Sequence, residues 1–369
     1  MNIANKRIGI IKQCKIGDAV VALPVAAAIK KSEPSAKVVF IGDSYIQDIV
    51  QCSPHVDEFQ ALNISAEAEY YTNEQMIEQL RQMNLDVVIH TRPHRYIMYW
   101  VKKAGIKTRI ATSHRLYSFL SCNKLVNSGR SASIKHEAEY DLELLKPLKL
   151  QTKDRFRLVD MIQLERPENT VQTNINDLLS KDKFKLVLHI GAESAGGRNW
   201  SVQKYIELAE KLSDNFQVIL TGSKHEQELC HQFIQNCNRD VLNSCGKLPL
   251  NELVCFLAKI DGMLAASTGP LHIAAALGKY CLGLYPATKI HAPTRWGPIG
   301  ELAVALAPKR ECAGCNDKSR KCTCVDSIPS HLVSDIIESW QNGNDHNNQC
   351  EPNNIPEHIK LWSAKNSVI

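Results

Sequence analysis

No stretch of this chain approaches the roughly 20 consecutive apolar residues of a bilayer-spanning helix, which argues against an integral helical membrane protein. Two nucleotide signatures are also missing. The first strand-like run is followed by Gln13-Cys14-Lys15-Ile16-Gly17-Asp18, with a single glycine, so the spaced-glycine dinucleotide fingerprint is absent. No P-loop lysine motif occurs either, and a dehydrogenase or a P-loop NTPase is disfavoured. Acidic residues are missing from one long segment: Val87 to His136 holds ten Lys or Arg and no Asp or Glu. A local positive field follows. It suits a solvated face, an acidic substrate or an anionic membrane surface. Nucleic acid is the least supported partner, because no recognition motif accompanies the charge.

What is present describes a soluble globular chain. Its 369 residues are 44% hydrophobic and 22% charged, with a net charge of only +5, and the length suggests two domains, each with its own core. The cations Lys6, Arg7, Lys12 and Lys15 before the apolar run Ala19 to Ile29 resemble a signal peptide. That reading fails, because Arg7 to Ile11 is already strand-like and Asp18 precedes a helix that ends in Lys30-Lys31. Thirteen cysteines, an odd number scattered over the chain, point to a reducing compartment and a cytoplasmic location. Four stand apart. Cys312, Cys315, Cys322 and Cys324 form a C-x-x-C and a C-x-C, a set able to give four thiolates to a structural zinc ion or to remain a reduced or redox-active loop.

Strand-like runs alternate with helical patterns in both halves, which is the signature of parallel βαβ units. The expected fold class is α/β, with two Rossmann-like domains facing across a cleft. Residues 1–165 form the first, 166–184 a linker, 185–340 the second, and 341–369 a polar tail in which Ile355 to Ala364 is expected to form a short helix.

Ser267-Thr268-Gly269-Pro270-Leu271-His272 is the most informative segment: a buried strand ends, a polar turn follows and a helix starts. Ser267 and Thr268 read as capping hydroxyls and Pro270 as the first helical residue. The unpaired amides of such a first turn bind phosphate, although an ordinary capped helix has the same pattern. His272 is either a core histidine or a pyrophosphate contact. Asp18, after the first strand, is either a helix N-cap or a carboxylate able to take a proton from a hydroxyl. The loop Gly191 to Trp200 delivers Arg198, a surface arginine or a bidentate phosphate ligand positioned by Trp200, to a helix capped by Ser201. Glu226, at the Thr221-Gly222-Ser223 junction, either complements a helix dipole or receives ribose hydroxyls.

Together these patches, with Leu23-Pro24 and Ala104 to Ile110, resemble glycosyltransferase family 9, the bacterial heptosyltransferases of lipopolysaccharide core synthesis, over nearly the whole chain to about Trp340. The resemblance implies the GT-B fold, with acceptor bound mainly by the first domain and nucleotide-sugar donor by the second. It implies that Asp18 is the general base of an inverting transfer and that Arg198, where a lysine is usual, compensates the leaving nucleotide. It further implies that Glu226 binds ribose and that Thr268, Gly269 and His272 form the diphosphate turn. Ser267 stands where heptosyltransferases usually carry Asp, which leaves diphosphate-sugar binding intact and loosens the link to heptose.

The expected activity is transfer of heptose from an ADP-linked donor to a lipopolysaccharide core or related surface glycan, with no cofactor required for catalysis. Arg92, Arg95 and Arg115 are the candidate contacts to an anionic glycolipid acceptor, at the cytoplasmic face of the inner membrane. A family 9 enzyme using another nucleotide-sugar, a non-catalytic nucleotide-sugar-binding protein and a GT-B epimerase are the alternatives. Neighbouring surface-polysaccharide genes would favour a transferase.

Overall fold

The structure is a computed structural model that describes residues 2–62, 73–150, 157–165, 176–191, 198–315, 322–342 and 355–365. Most of the expected linker, the centre of the Gly191 to Trp200 loop and most of the polar tail lie outside the described residues. The chain divides into two compact units, the first running to Glu165 and the second starting at Arg166.

The first unit is built on a six-stranded sheet of β1 (Arg7–Ile11), β2 (Lys37–Gly42), β3 (Glu58–Ala61), β4 (Val87–His90), β5 (Thr108–Thr112) and β6 (Lys124–Val126). Their order is β3-β2-β1-β4-β5-β6, and every pairing is parallel. The central strands are apolar along their length because helices cover both faces of a parallel sheet. Helix Ile16–Ser32 is buried continuously from Ala19 to Ile29, so it behaves as a core helix and not as an amphipathic surface one. It packs against helix Glu137–Glu143.

That contact carries a buried charge network. Lys12, the residue after β1, donates from Nζ to Asp141 Oδ2 at 2.8 Å, with both side chains almost wholly excluded from solvent. Arg130 donates to Asp141 Oδ1 at 2.5 Å, to Glu137 Oε1 at 2.6 Å and to the carbonyl of Thr91, just after β4. Two cations face two carboxylates, so the cluster is neutral. Burial alone would lower the Lys12 pKa, but Asp141, then Asp18 and Glu137, hold it up at about 12.

The second unit has seven strands: β7 (Phe184–His189), β8 (Phe216–Thr221), β9 (Leu242–Asn243), β10 (Gly262–Ala266), β11 (Tyr280–Leu284), β12 (Ala303–Pro308) and β13 (Ile359–Ser363). Their order is β13-β12-β11-β10-β7-β8-β9, parallel except for the antiparallel β12–β13 edge. The helix expected over Ile355 to Ala364 is therefore corrected to a strand. Ile-Lys-Leu-Trp-Ser carries β-branched and aromatic residues suited to a pleated edge. Trp362 lies where a Cβ on Gly297 would sit, 2.0 Å from its Cζ3, so the strand docks only against a glycine. At the centre, a Cβ on Gly262 would meet the rings of Trp340 and Phe184 at 2.8 and 2.9 Å. Tyr280 completes that aromatic cluster, stacked on Trp340 at 5.4 Å.

Asp141→Asn is expected to destabilise the first unit by about 3–5 kcal/mol, the range for a buried pair that loses one partner. Urea denaturation of the full chain measures it. Lys12→Met combined with Asp141→Leu should recover part of the loss, and a deficit no larger than the ~1 kcal/mol of a surface pair would refute the network's importance.

Candidate functional site

Each sheet has a point where strand order reverses, and open α/β sheets place ligands outside the carboxyl ends of the strands there. In the first unit the reversal falls between β1 and β4. A cavity of about 390 Å³ opens at those ends, lined by Gln13, Cys14 and Lys15 after β1, Asp43 and Tyr45 after β2, and Arg92, Pro93 and His94 after β4. Tyr45 donates its hydroxyl to the carbonyl of Cys14, and Arg92 donates to that of Gln13 at 3.3 Å. The loop after β1 is thus tied to both neighbouring strands. Burial pushes the Cys14 thiol up, against the opposing charge of Lys12, so it is no nucleophile near neutral pH.

Asp18 lies in the first turn of helix Ile16–Ser32, partly exposed. The N-cap is Lys15, so Asp18 is not the cap that its sequence position suggests but the third helical residue. Its negative charge acts on Lys12, Cys14 and Tyr45, which places it beside the cavity wall. Of the three candidate acceptor arginines, Arg92 lines the cavity. Arg95 begins helix Arg95–Lys103 and lies over the Tyr96 ring at 4.4 Å, and exposed Arg115 is the N-cap of helix Leu116–Ser121. Neither is a lining residue. His94 contributes an Nδ1 that is buried with no hydrogen-bond partner among the described residues. Burial, then Arg95 and Arg92, hold its pKa below the ordinary histidine range, so it is neutral near pH 7.

In the second unit the reversal lies between β7 and β10. Glu226, after β8, is buried and packed against backbone: a Cβ on Gly191 would stand 1.8 Å from its Oε1, and one on Gly222 3.4 Å from its Oε2. Oε2 accepts from the Ser223 amide at 2.7 Å in a capping box, so the helix-complementing role is realised. His189, ending β7, pairs Nδ1 with Thr221 Oγ1 at 3.0 Å. Burial lowers its pKa, and Glu226 opposes that shift.

Thr268 is the N-cap of helix Gly269–Ala276, but its hydroxyl makes no capping bond; Oγ1 is buried and has no partner among the described residues. Pro270 is the second helical residue, not the first. Ser267 hydrogen-bonds Tyr285, which burial holds in its neutral phenol form. His272 is buried in the first turn.

Arg198 is partly exposed and is followed by a tethered segment. Asn199 Oδ1 accepts from Tyr205 Oη at 3.1 Å, and Trp200, 2% exposed, donates from Nε1 to the carbonyl of Ile328 at 3.0 Å. Ser201 is an N-cap whose side chain makes no capping bond; its own amide is satisfied by Asp326 Oδ1 at 2.7 Å. Burial, then the positive charges of Arg198 and Arg295, lower the His291 pKa and favour its neutral form. Sequence reasoning missed Lys12, Asp141, Tyr45, His94, His291 and Arg295. Lys12, Tyr45 and His94 follow strands, which is a signal; Asp141, His291 and Arg295 carry none.

The family model Glycosyltransferase family 9 (heptosyltransferase) matches residues 74–326. A Haemophilus influenzae protein provisionally named a glycosyltransferase is 25% identical over 352 residues, 92% of this chain and 99% of that one. The glycosyl transferase family 9 structure from Veillonella parvula superposes with a TM-score of 0.79 at 16% identity, covering 93% of this chain and 99% of its own. The structure of E. coli ADP-heptose lps heptosyltransferase II gives 0.69 at 18% identity, covering 91% and 99%. With two parallel-sheet units, these likenesses identify the fold as GT-B.

Proposed function

The chain belongs to glycosyltransferase family 9, and from that premise we propose that it is an inverting, metal-independent heptosyltransferase acting on a lipopolysaccharide core or related surface glycan. Asp18 accepts the proton of the acceptor hydroxyl as that oxygen forms its bond to the anomeric carbon. The bond from that carbon to the donor diphosphate breaks, and its electron pair leaves on the diphosphate. Arg198 and the first-turn amides of helix Gly269–Ala276 stabilise the departing charge, which is why no divalent cation is needed. Glu226 holds the ribose, Ser267, Thr268 and His272 the diphosphate end, and Arg92, Arg95 and Arg115 the anionic acceptor.

What supports this reading is that Glu226 and the Thr268-Gly269 turn follow β8 and β10 in the chain and Arg198 follows β7, and that the buried Thr268 hydroxyl has no partner among the described residues. A donor diphosphate supplies that partner. The name of the E. coli neighbour supports ADP-heptose as the donor. Asp18→Asn should leave ADP affinity nearly unchanged while lowering turnover by roughly a hundred- to ten-thousandfold. Near-normal turnover in the folded variant would remove Asp18 from the base role.

The membrane side of the proposal has its own support. Helix Leu116–Ser121 exposes Leu116 (81%), Phe119 (58%) and Leu120 (69%) to solvent. Arg115, Lys103, Lys107 and Lys124 are exposed in the same acid-free segment. Arg130 and Lys135 are paired with carboxylates within the fold, and Arg109 is bonded to backbone carbonyls. Apolar side chains among cations suit the anionic inner leaflet, where each cation near the surface contributes about 1 kcal/mol. No described helix is long and apolar enough to cross a membrane. In flotation with vesicles rich in phosphatidylglycerol, the wild-type chain should co-float and a Leu116, Phe119 and Leu120 to Ser triple variant should not. Equal flotation of the two would contradict this surface.

A further inference from the structure

The segment after β12 brings four cysteines to one point. The Sγ–Sγ separations are 3.7 Å for Cys312–Cys315, Cys312–Cys322 and Cys315–Cys322, 3.5 Å for Cys315–Cys324 and 3.4 Å for Cys322–Cys324. All four sulfurs lie within 4.8 Å of one another. A disulfide requires about 2.0 Å, and all four are free thiols. A metal held by four thiolates at about 2.3 Å sets its sulfurs on a tetrahedron with edges of roughly 3.8 Å, close to the separations observed.

The surroundings point the same way. Cys315, Cys322 and Cys324 are buried, and two backbone amides donate to sulfur, Thr323 to Cys312 and Ala287 to Cys324, each at 3.4 Å. Such outer donors orient thiolate ligands and are what a metal–thiolate centre uses. Four weakly hydrogen-bonding thiols gain little from this proximity without an ion, whereas four thiolates around a cation gain a great deal.

We propose that Cys312, Cys315, Cys322 and Cys324 bind one metal ion as four thiolates, and that this centre fixes the segment that follows Arg198. The ion is of the class that takes four sulfurs tetrahedrally, zinc or a single iron. Loading releases the thiol protons to solvent and leaves no open position for substrate, so the centre is structural. Its reach is short in sequence. Two residues beyond Cys324, Asp326 holds the Ser201 amide; two further on, the Ile328 carbonyl accepts from Trp200 Nε1 and, at 3.0 Å, from Lys204 Nζ. Only the assignment of Arg198 to the donor diphosphate rests on the proposed function.

The test reads metal and segment order separately, without nucleotide. Elemental analysis of the full chain purified without chelator should give roughly one zinc or iron per chain. A thiolate-to-iron charge-transfer band identifies iron, and a colourless loaded protein identifies zinc. A Cys315→Ser, Cys322→Ser double variant should lose at least about tenfold in bound metal, while Cys281→Ser, at a buried thiol elsewhere, retains it. Should the double variant fail to fold, cobalt exchanged into the wild-type chain still reports the geometry through its tetrahedral tetrathiolate spectrum. Stripping the metal should speed hydrogen exchange at residues 199–204 by about tenfold or more, leave helix Ile16–Ser32 unchanged, and reverse on adding metal. A folded chain that carries no metal and takes up neither zinc, iron nor cobalt overturns the centre. Unchanged exchange at 199–204 after stripping overturns its link to the Arg198 segment. Weak ADP binding with metal retained would count against the donor reading alone.

Discussion

The first unit depends on a lysine buried away from solvent. Lys12 occupies the position where β1 hands over to the loop that forms the cavity wall, and its ammonium is held by Asp141, 129 residues along the chain. An unpaired ammonium there would be intolerable, so the helix bearing Asp141 must dock and Arg130 must close over the same carboxylate. Arg130 also holds the carbonyl of Thr91, so one neutral cluster fastens the ends of β1 and β4 together. The cavity opens at those ends, which the cluster holds together.

The second unit reaches a comparable geometry by steric means. Glu226 is seated against two positions, Gly191 and Gly222, that a side chain would crowd, and its carboxylate is engaged by a backbone amide. Arg198 owes its surroundings to a tethered neighbour segment, fixed through Trp200 and Ser201 to the residues just after the four cysteines. In the first unit the cavity wall is ordered by buried charge, and in the second Glu226 is ordered by close backbone approach. Substitutions should therefore fail differently in the two units: by desolvated charge in the first, by overpacking in the second.

Much of this was legible in sequence because the central strands are buried on both faces and read as apolar runs. β10, Gly262–Ala266, is the buried strand expected to end before Ser267. The edges were harder. β5, with Thr-Arg-Ile-Ala-Thr, and three-residue β6 have no run long enough to stand out, and β13 reads equally well as a helix until β12 is there to pair with it. Asp18, Arg198, Glu226 and the Thr268-Gly269 turn stand out as candidates because each lies between a strand and a helix, a junction with a sequence signature. Lys12 also follows a strand, but nothing in the sequence links it to an acid 129 residues along the chain, and the two become partners only through the fold. The capping details at Asp18 and Pro270 were off by one to three residues, since helix ends depend on local backbone geometry that residue type constrains only loosely.

If the second unit is a nucleotide-sugar site of family 9 type, a thermal-shift panel of ADP-, UDP- and GDP-linked sugars on the full chain will show it. At 100 times its dissociation constant a ligand stabilises the native state by about 2.7 kcal/mol, a shift readily resolved. Tm should rise clearly with ADP-heptose and little with the others; a rise with UDP- or GDP-sugars and none with ADP-heptose would rule out an ADP-heptose site.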